Sequence, residues 1–369
     1  MTPRERFNAI MHGQAPDRLP LWDCEGISES AMRRWVGQAL VPLGMRKDDL
    51  VAFDPKTVIR LDTDPLPAFV GRTLADDGEY RTYTDGYGFT VRESKAQAVG
   101  PTYYTYLAGP VASRADWREM TRRFDPADAR RLGRDWSPEL AAKLNGSSGP
   151  VGLRIEWGPG RGVKNGYMMG LERFLETLAD EPAFVEEIFD FWADFAIACL
   201  RPWLPAVRFD FVFFNEDGMG FRNSSLVSPE MYRRLWARPM RRVADFVRGC
   251  GVDVIGYNTS GHITPLIPVL LELGVNLHMP LEAAAGMDVG ELRRRFGPEL
   301  RLIGNIARQS LMDGPAAVER EFARKAPLAA DGGYIPAIDD LVMPDMPYES
   351  LRRYEQLVRQ YRPGHAVTS

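Results

Sequence analysis

From Val151 onward the chain repeats one phrase: a short apolar run, a polar cluster with glycine, then a stretch whose apolar residues recur at helical spacing. The runs "VGLRIEWG", "FDFVFFNEDG", "VDVIGYNTSG", "GVNLHMPLE", "LRLIGNIAR" and "GGYIPAIDD" read as strands. Between them lie the helical segments "LERFLETLADEPAFVEEIFDFWADFAIACL", "SPEMYRRLWARPMRRVADFVRGC", "TPLIPVLLEL", "DVGELRRRFG" and "PAAVEREFARKA". Strict alternation of strand and helix predicts a parallel sheet, and this many units predicts a closed α/β barrel of the (β/α)8 TIM type. An open doubly wound sheet is the alternative, but no GxGxxG or GxxxxGK[ST] turn follows an early strand.

The N-terminal third has a different texture. Thr2 as N-cap, Pro3 in the first turn and Glu5 three residues after the cap predict a helix that fades near Gly13. "APDRLPLWDC" then delivers a short strand. Between about residues 50 and 110, "EYRTYTDGYGFTVRES" and "PTYYTYLAGP" set aromatic and β-branched residues around an Asp-Gly turn, which predicts an antiparallel hairpin or small β extension. "SRADWREMTRRFDP" reads as an amphipathic helix closed by Asp-Pro. No boundary divides the chain, so residues 1–369 are expected to form one barrel domain with a helical and β-hairpin elaboration at its N-terminal side.

The run from Phe211 to Phe214 drives straight into Asn215, Glu216 and Asp217. Burying unpaired carboxylates costs several kcal/mol, so the two acids are expected just past the strand, where barrel enzymes keep their chemistry. Polar groups end the other strands too: Trp22 and Asp23, Glu156 and Trp157, Asn258 to Ser260, His278 and Glu282, Asn305, and Tyr334 with Asp339 and Asp340. Any one of them can be an ordinary N-cap, and Asp23 and Asp340 read best that way. Together they predict a pocket in which crowded carboxylates raise one another's pKa and one keeps a proton near neutrality. His278 with Glu282 offers nitrogen and oxygen to a metal, or His278 is an interior residue; the spacing leaves the metal question open. "WGPGRGVKNG" has the glycine content of a mobile loop, with Arg161 or Lys164 able to close over a substrate or simply to face water.

Composition narrows the class. The 369 residues are 45% hydrophobic and 26% charged, enough to bury a full core, and the net charge of -4 gives no reason to expect nucleic acid or an anionic membrane as partner. Three scattered cysteines without a CxxC pair, and an N-terminus "MTPRERFNAI" without a signal-peptide core, lead to the expectation of a cytoplasmic protein.

The opening "RERFNAIMHGQAPDRLPLWD" resembles the start of the uroporphyrinogen decarboxylase-like superfamily. The likeness continues through "FFNEDGMGFRNSSLVSPEMYRRLWARPMRRVADFVRGCGV", "PLEAAAGMDVGELRRRFGPELRLIGNI" and "GGYIPAIDDLVMPDMPYESLRRY". The resemblance implies a single (β/α) barrel with an N-terminal elaboration and one of two activities. The decarboxylases grip a polycarboxylate with an Arg-Gln-Ala-Gly-Arg segment after the first strand; here that place reads "LWDCEGISES". A mouth lined by Asp23, Glu156, Glu216, Asp217 and Glu282 is expected to repel such a polyanion. The other class transfers methyl groups to or from a corrinoid on a partner protein. Its thiol-activating members bind zinc through a His-x-Cys-Gly segment and a later cysteine, whereas Asn258 and Ser260 stand at those places in "YNTSG", and "GGYIP" holds no cysteine.

The resemblance therefore implies a substrate-side enzyme: a corrinoid-dependent methyltransferase that demethylates a small neutral or cationic methoxylated or methylated molecule. Its cofactor would be a cobalamin or other corrinoid on a partner protein, with zinc left open. Glu216 and Asp217 would lead as acid or orienting pair, with Glu282 and Glu156 as further candidate acids. Asn258, His278, Asn305 and Asp339 would orient the substrate, and Trp22, Trp157 and Tyr334 would wall it. The alternative is a decarboxylase or lyase acting on a non-porphyrin substrate.

Overall fold

The structure, a computed structural model, describes residues 1–95, 104–132, 137–160 and 162–363. In chain order, β1 (Trp22–Asp23) and β2 (Thr57–Arg60) come first, followed by β3 (Arg72–Asp76), β4 (Tyr80–Thr84), β5 (Thr90–Ser94) and β6 (Tyr104–Ala108). Then come β7 (Val151–Glu156), β8 (Phe211–Asn215), β9 (Ile255–Asn258), β10 (Leu277–Met279), β11 (Arg301–Ile306) and β12 (Tyr334–Ile338). Eight of these strands form one parallel sheet in the order β1-β12-β11-β10-β9-β8-β7-β2, curled with helices outside, which is the TIM-barrel architecture. No ladder joins β1 to β2 among the described residues. That seam is bridged instead by Asp54, whose N–H donates to the Leu21 carbonyl (3.0 Å) and whose carboxylate accepts from the Leu21 N–H (2.8 Å). Lys56 also donates to the carbonyl and carboxylate of Asp23, both at 2.7 Å.

Strand side chains alternate with period two, so each barrel strand serves two cores. Phe211 and Phe213, Val254, Leu277, Ile303, Ile335 and Ala337 fill the barrel interior. The residues between them, such as Val212, Phe214, Ile255 and Tyr257, face the helices. Phe7, Ile10 and Met11 of the first helix, Pro3–Met11, plug the interior from below, and Phe7 stacks on Trp22 at 5.3 Å. That helix carries the predicted capping box, Thr2 accepting from the Glu5 N–H (3.2 Å) and Glu5 from the Thr2 N–H (2.8 Å). Gly152 is required inside: a Cβ there would lie 2.3 Å from the Phe211 ring.

Two local readings differ in detail. Within the interval 50–110, residues 57–60 serve the barrel, pairing parallel to β7, and the separate four-stranded antiparallel sheet β3-β4-β5-β6 begins only at Arg72. The segment from Leu171 to Leu200 is two helices, Leu171–Asp180 and Pro182–Leu200, because Pro182 lacks the N–H that would continue the first. Among the described residues no helix is long and apolar enough to cross a membrane.

Candidate active site

The tips of β2, β7 and β8 meet around a cavity of about 510 Å³ lined by Arg60, Asp64, Tyr87, Arg154, Glu156, Lys164, Asn215 and Asp217. Arg60 and Arg154 are direct cross-strand neighbours, a juxtaposition that repels unless an anion stands between. Glu156 is that anion. Its carboxylate, almost wholly buried, ion-pairs with Arg154 Nη2 (2.8 Å) and accepts from Arg60 Nε (3.4 Å) and Asn215 Nδ2 (2.8 Å). Arg60 also grips Asp64 through two N–H groups, at 3.0 and 2.6 Å, and the Tyr87 hydroxyl donates to Asp64 at 2.7 Å. Across the cavity Asp217 accepts from Lys164 Nζ (2.8 Å) and Ser260 Oγ (3.0 Å). Three cations thus balance three carboxylates, and the expected excess of negative charge is absent from this cavity. The repulsion argument against an anionic guest falls with it, because Arg60 and Lys164 come from outside the strand-end acids on which that argument was built.

The mouth extends to β1 and β9 through Glu25. Its side chain is open to water yet deep in the concavity, so lost hydration raises its pKa above the ordinary value. Asp217 raises it further, Arg154 opposes, Asp340 raises it again, and the nearby Asn258 amide lowers it. Nearby, Glu282 accepts from the Gly261 N–H (2.8 Å), tying the loops after β9 and β10 together. Asp339 is buried and accepts from the N–H groups of Ala283 (2.8 Å) and Arg308 (2.9 Å); burial nevertheless lifts its pKa to about 6. Asp340 pairs with Arg308 at 2.8 Å, and Asp23 with Lys56.

The period of two sends the other predicted residues elsewhere. Asn215 and Asp217 face the cavity, so Glu216 turns outward, fully buried in an aromatic box between barrel and helices. Its Oε1 accepts from the Tyr167 hydroxyl and from Trp236 Nε1 (3.0 Å), and its Oε2 from the Tyr257 hydroxyl (2.6 Å). Burial outweighs these three donors and pushes the carboxyl to about 7. Trp157, Tyr334 and His278 share that outer layer. Trp157 packs on Phe214 at 5.4 Å, and the Tyr334 hydroxyl donates to the Gly304 carbonyl (3.0 Å). The His278 ring is buried with neither nitrogen partnered among the described residues, which depresses its pKa to about 3. Asn305 accepts from the Val289 N–H (3.0 Å) and donates to the carbonyls of Leu281 (2.9 Å) and Met287, bracing the loop after β10. Trp22 lies in the barrel interior beneath the mouth, with Lys56 over its ring at 4.9 Å.

The segment between β7 and the helix Leu171–Asp180 carries Lys164 to the cavity; Arg161 lies outside the described residues. Gly158, Gly160, Gly162, Gly166 and Gly170 all have positive φ, and so do Tyr167 (49°) and Met168 (77°), side-chain-bearing residues for which such backbone costs about 1–3 kcal/mol each. A family model described as uroporphyrinogen decarboxylase (URO-D) matches residues 165–361, from this segment through every later barrel strand. The chain belongs to that family. No curated protein matches its sequence.

For this member of the uroporphyrinogen decarboxylase family the metal question turns on donors. Among the described residues no three His, Cys, Asp or Glu side chains are grouped to hold a metal ion. Asn258 and Ser260 supply neither imidazole nor thiolate, His278 is walled into the outer layer, and burial pushes the Cys24 thiol well above its ordinary pKa. These donors do not fit a zinc centre of the thiol-activating kind. The residues that sequence reasoning missed are Glu25, Arg60, Asp64, Tyr87 and Arg154. Arg154 had a signal, a guanidinium in mid-strand two residues before Glu156 and two after a glycine. Arg60, Asp64 and Tyr87 had none, since they come from the non-repeating N-terminal third.

Proposed function

We propose that this uroporphyrinogen decarboxylase family member is a corrinoid-dependent methyltransferase, moving a methyl group from a small methoxylated or methylated substrate to a corrinoid held by a partner protein. A methyl ether or amine is a poor leaving group, so its heteroatom needs a proton as the methyl departs. The observation that carries the reading is Glu25, an exposed carboxyl at the mouth beside Asn258, Asp217 and Arg154, whose pKa is raised by lost hydration and by the neighbouring Asp217 charge. Glu25 would give its proton to the leaving heteroatom. Asp217 and Asn258 would orient the substrate, and Glu156, fixed by Arg60, Arg154 and Asn215, would hold the cavity wall rigid. The corrinoid would supply the nucleophilic cobalt, approaching from the open side of the mouth. Glu216 would act from behind the mouth, through the Lys164 segment, and His278, Asn305, Tyr334 and Trp157 would support the walls.

The test mixes the protein with a reduced corrinoid protein and a panel of methoxylated and methylated compounds, and follows the cobalt absorption. A substrate-dependent change is expected. A second reading, a decarboxylase or lyase acting on a non-porphyrin carboxylate, is favoured by the cations Arg60, Arg154 and Lys164 at the cavity. Release of carbon dioxide with unchanged cobalt absorption would select it over the first.

A further inference from the structure

Every described residue from Ile155 to Gly170 is buried except Lys164. The segment achieves this by doubling back tightly. A Cβ at Gly162 would lie 2.3 Å from the Trp157 carbonyl oxygen, and one at Gly166 would lie 2.8 Å from the Leu171 nitrogen. The N–H groups of Gly109 and Val111 hold its far end through the Met169 (3.2 Å) and Met168 (3.1 Å) carbonyls, and two side chains of adjacent residues at the end of β8 anchor its middle. Glu216 takes the Tyr167 hydroxyl inside the protein, and Asp217 takes the Lys164 ammonium at the cavity. The two are unequal. The Lys164–Asp217 pair is solvated, with side chains 42% and 36% exposed, and such a pair is too weak to fix a loop. The Tyr167–Glu216 contact is fully buried from solvent. Trp236 Nε1 donates to both partners at 3.0 Å, and the Tyr167 ring packs on Phe174 and Phe189, each at 4.7 Å.

We propose that Tyr167 is a positioning residue of the mouth: its bond to Glu216 locks the segment 162–170 in the conformation that presents Lys164 to the cavity, where Lys164 holds an anionic group of the substrate. The ligand class follows from the chemistry of the wall. Lys164 lines one cavity with Arg60 and Arg154, and its ammonium, 42% exposed, can share a substrate carboxylate with Asp217, which Ser260 also holds at 3.0 Å. The substrate-holding role rests on the proposed reading of the cavity; the locking role does not.

The experiment therefore has two arms. In the first, a lysine-specific endoprotease is applied to the wild-type protein and to Tyr167→Phe, and cleavage after Lys164 is followed by fragment mass. Proteolysis reports local opening, so the wild type should resist there and Tyr167→Phe should be cut about tenfold faster or more, while cleavage after Lys143 stays unchanged. Tyr232→Phe is the control, since the Tyr232 hydroxyl faces Tyr257 at 3.5 Å and the Met240 sulfur rather than the segment. An unchanged Lys164 cut in Tyr167→Phe, or a rise matched at Lys143 or in Tyr232→Phe, overturns the lock. In the second arm, Lys164→Ala, an exposed change that spares the core, should raise KM about tenfold for a carboxylated substrate with kcat within about twofold. An unchanged KM overturns the anion contact. If wild type shows no turnover with any compound, the reaction fails while the proteolysis still decides the lock.

Discussion

Glu216→Gln isolates the electrostatics of one buried carboxyl. Burial carries it from an ordinary 4.5 to about 7, a difference worth about 3 kcal/mol at about 1.4 kcal/mol per pKa unit. The folded value lies above the unfolded one, so folding favours the protonated form. Below pH 4.5 both states hold the proton and nothing is lost; as pH climbs through 4.5 toward 7 the folded state is progressively penalised. Glutamine keeps the shape, accepts from Tyr167 and Trp236 through Oε1, and donates to Tyr257, whose hydroxyl can turn toward Tyr232 at 3.5 Å. It cannot ionise. Urea denaturation of both proteins from pH 4 to 8.5 should show the gap between them moving by about 3 kcal/mol in favour of the variant, roughly 4 °C in Tm for a chain of this size. Groups common to both proteins cancel in the difference. Curves that stay parallel within about 1 kcal/mol across that range would refute the argument that burial dominates the three donors.

Three further outcomes are expected. Glu25→Gln should lower turnover about 10²–10⁴-fold with little change in melting, and the wild-type rate should fall as pH rises through the raised Glu25 pKa, a limb the variant lacks; steady-state kinetics across pH checks both. His278→Leu should keep or raise Tm at neutral pH, because it removes an unpartnered buried ring. The wild-type contribution of His278 is fully present above pH 6.5 and lost as pH falls toward 3, so the variant should lose less stability on acidification; a larger acid loss in the variant would count against that sign. Gly162→Ala, at φ +65° with the Trp157 carbonyl 2.3 Å from the new Cβ, should cost about 1–3 kcal/mol or more by chemical denaturation.

The barrel was legible because its strands and helices alternate with distinct periods from Val151 to the end of the fold. The site was legible only in part. A strand apolar on both faces, such as Phe211 to Phe214, carries no mark of which face is inside, so nothing in the letters says whether Asn215 and Asp217 or Glu216 meets the mouth. The plug of Phe7, Ile10 and Met11 against Phe211 and Phe213 decides it, and that contact joins residues about two hundred positions apart. The counter-charges were hidden for the same reason. Arg60 reaches Glu156 through the pairing of β2 with β7, across an intervening four-stranded sheet that no local pattern could bridge. The same half-buried run, Thr57 to Arg60, has the texture of the antiparallel hairpins that follow it, so pattern alone does not separate the barrel's second strand from them.

Among the described residues the junction at Leu21 and Asp54 is the margin of the cylinder where no strand ladder closes, so widening there breaks the fewest backbone bonds. Widening elsewhere would tear a row of parallel backbone bonds, whereas here the side-chain ties among the described residues are Asp54 to Leu21 and Arg18, and Lys56 to Asp23. Arg60 lies on the strand at that margin and Asp64 just beyond it, whereas Asn215 and Asn258 sit within continuous ladders, so any widening would move the Arg60 side of the chamber first. A bulkier guest would be accommodated by moving the arginine flank, and amide exchange at Leu21 and Asp54 should be the first to register it.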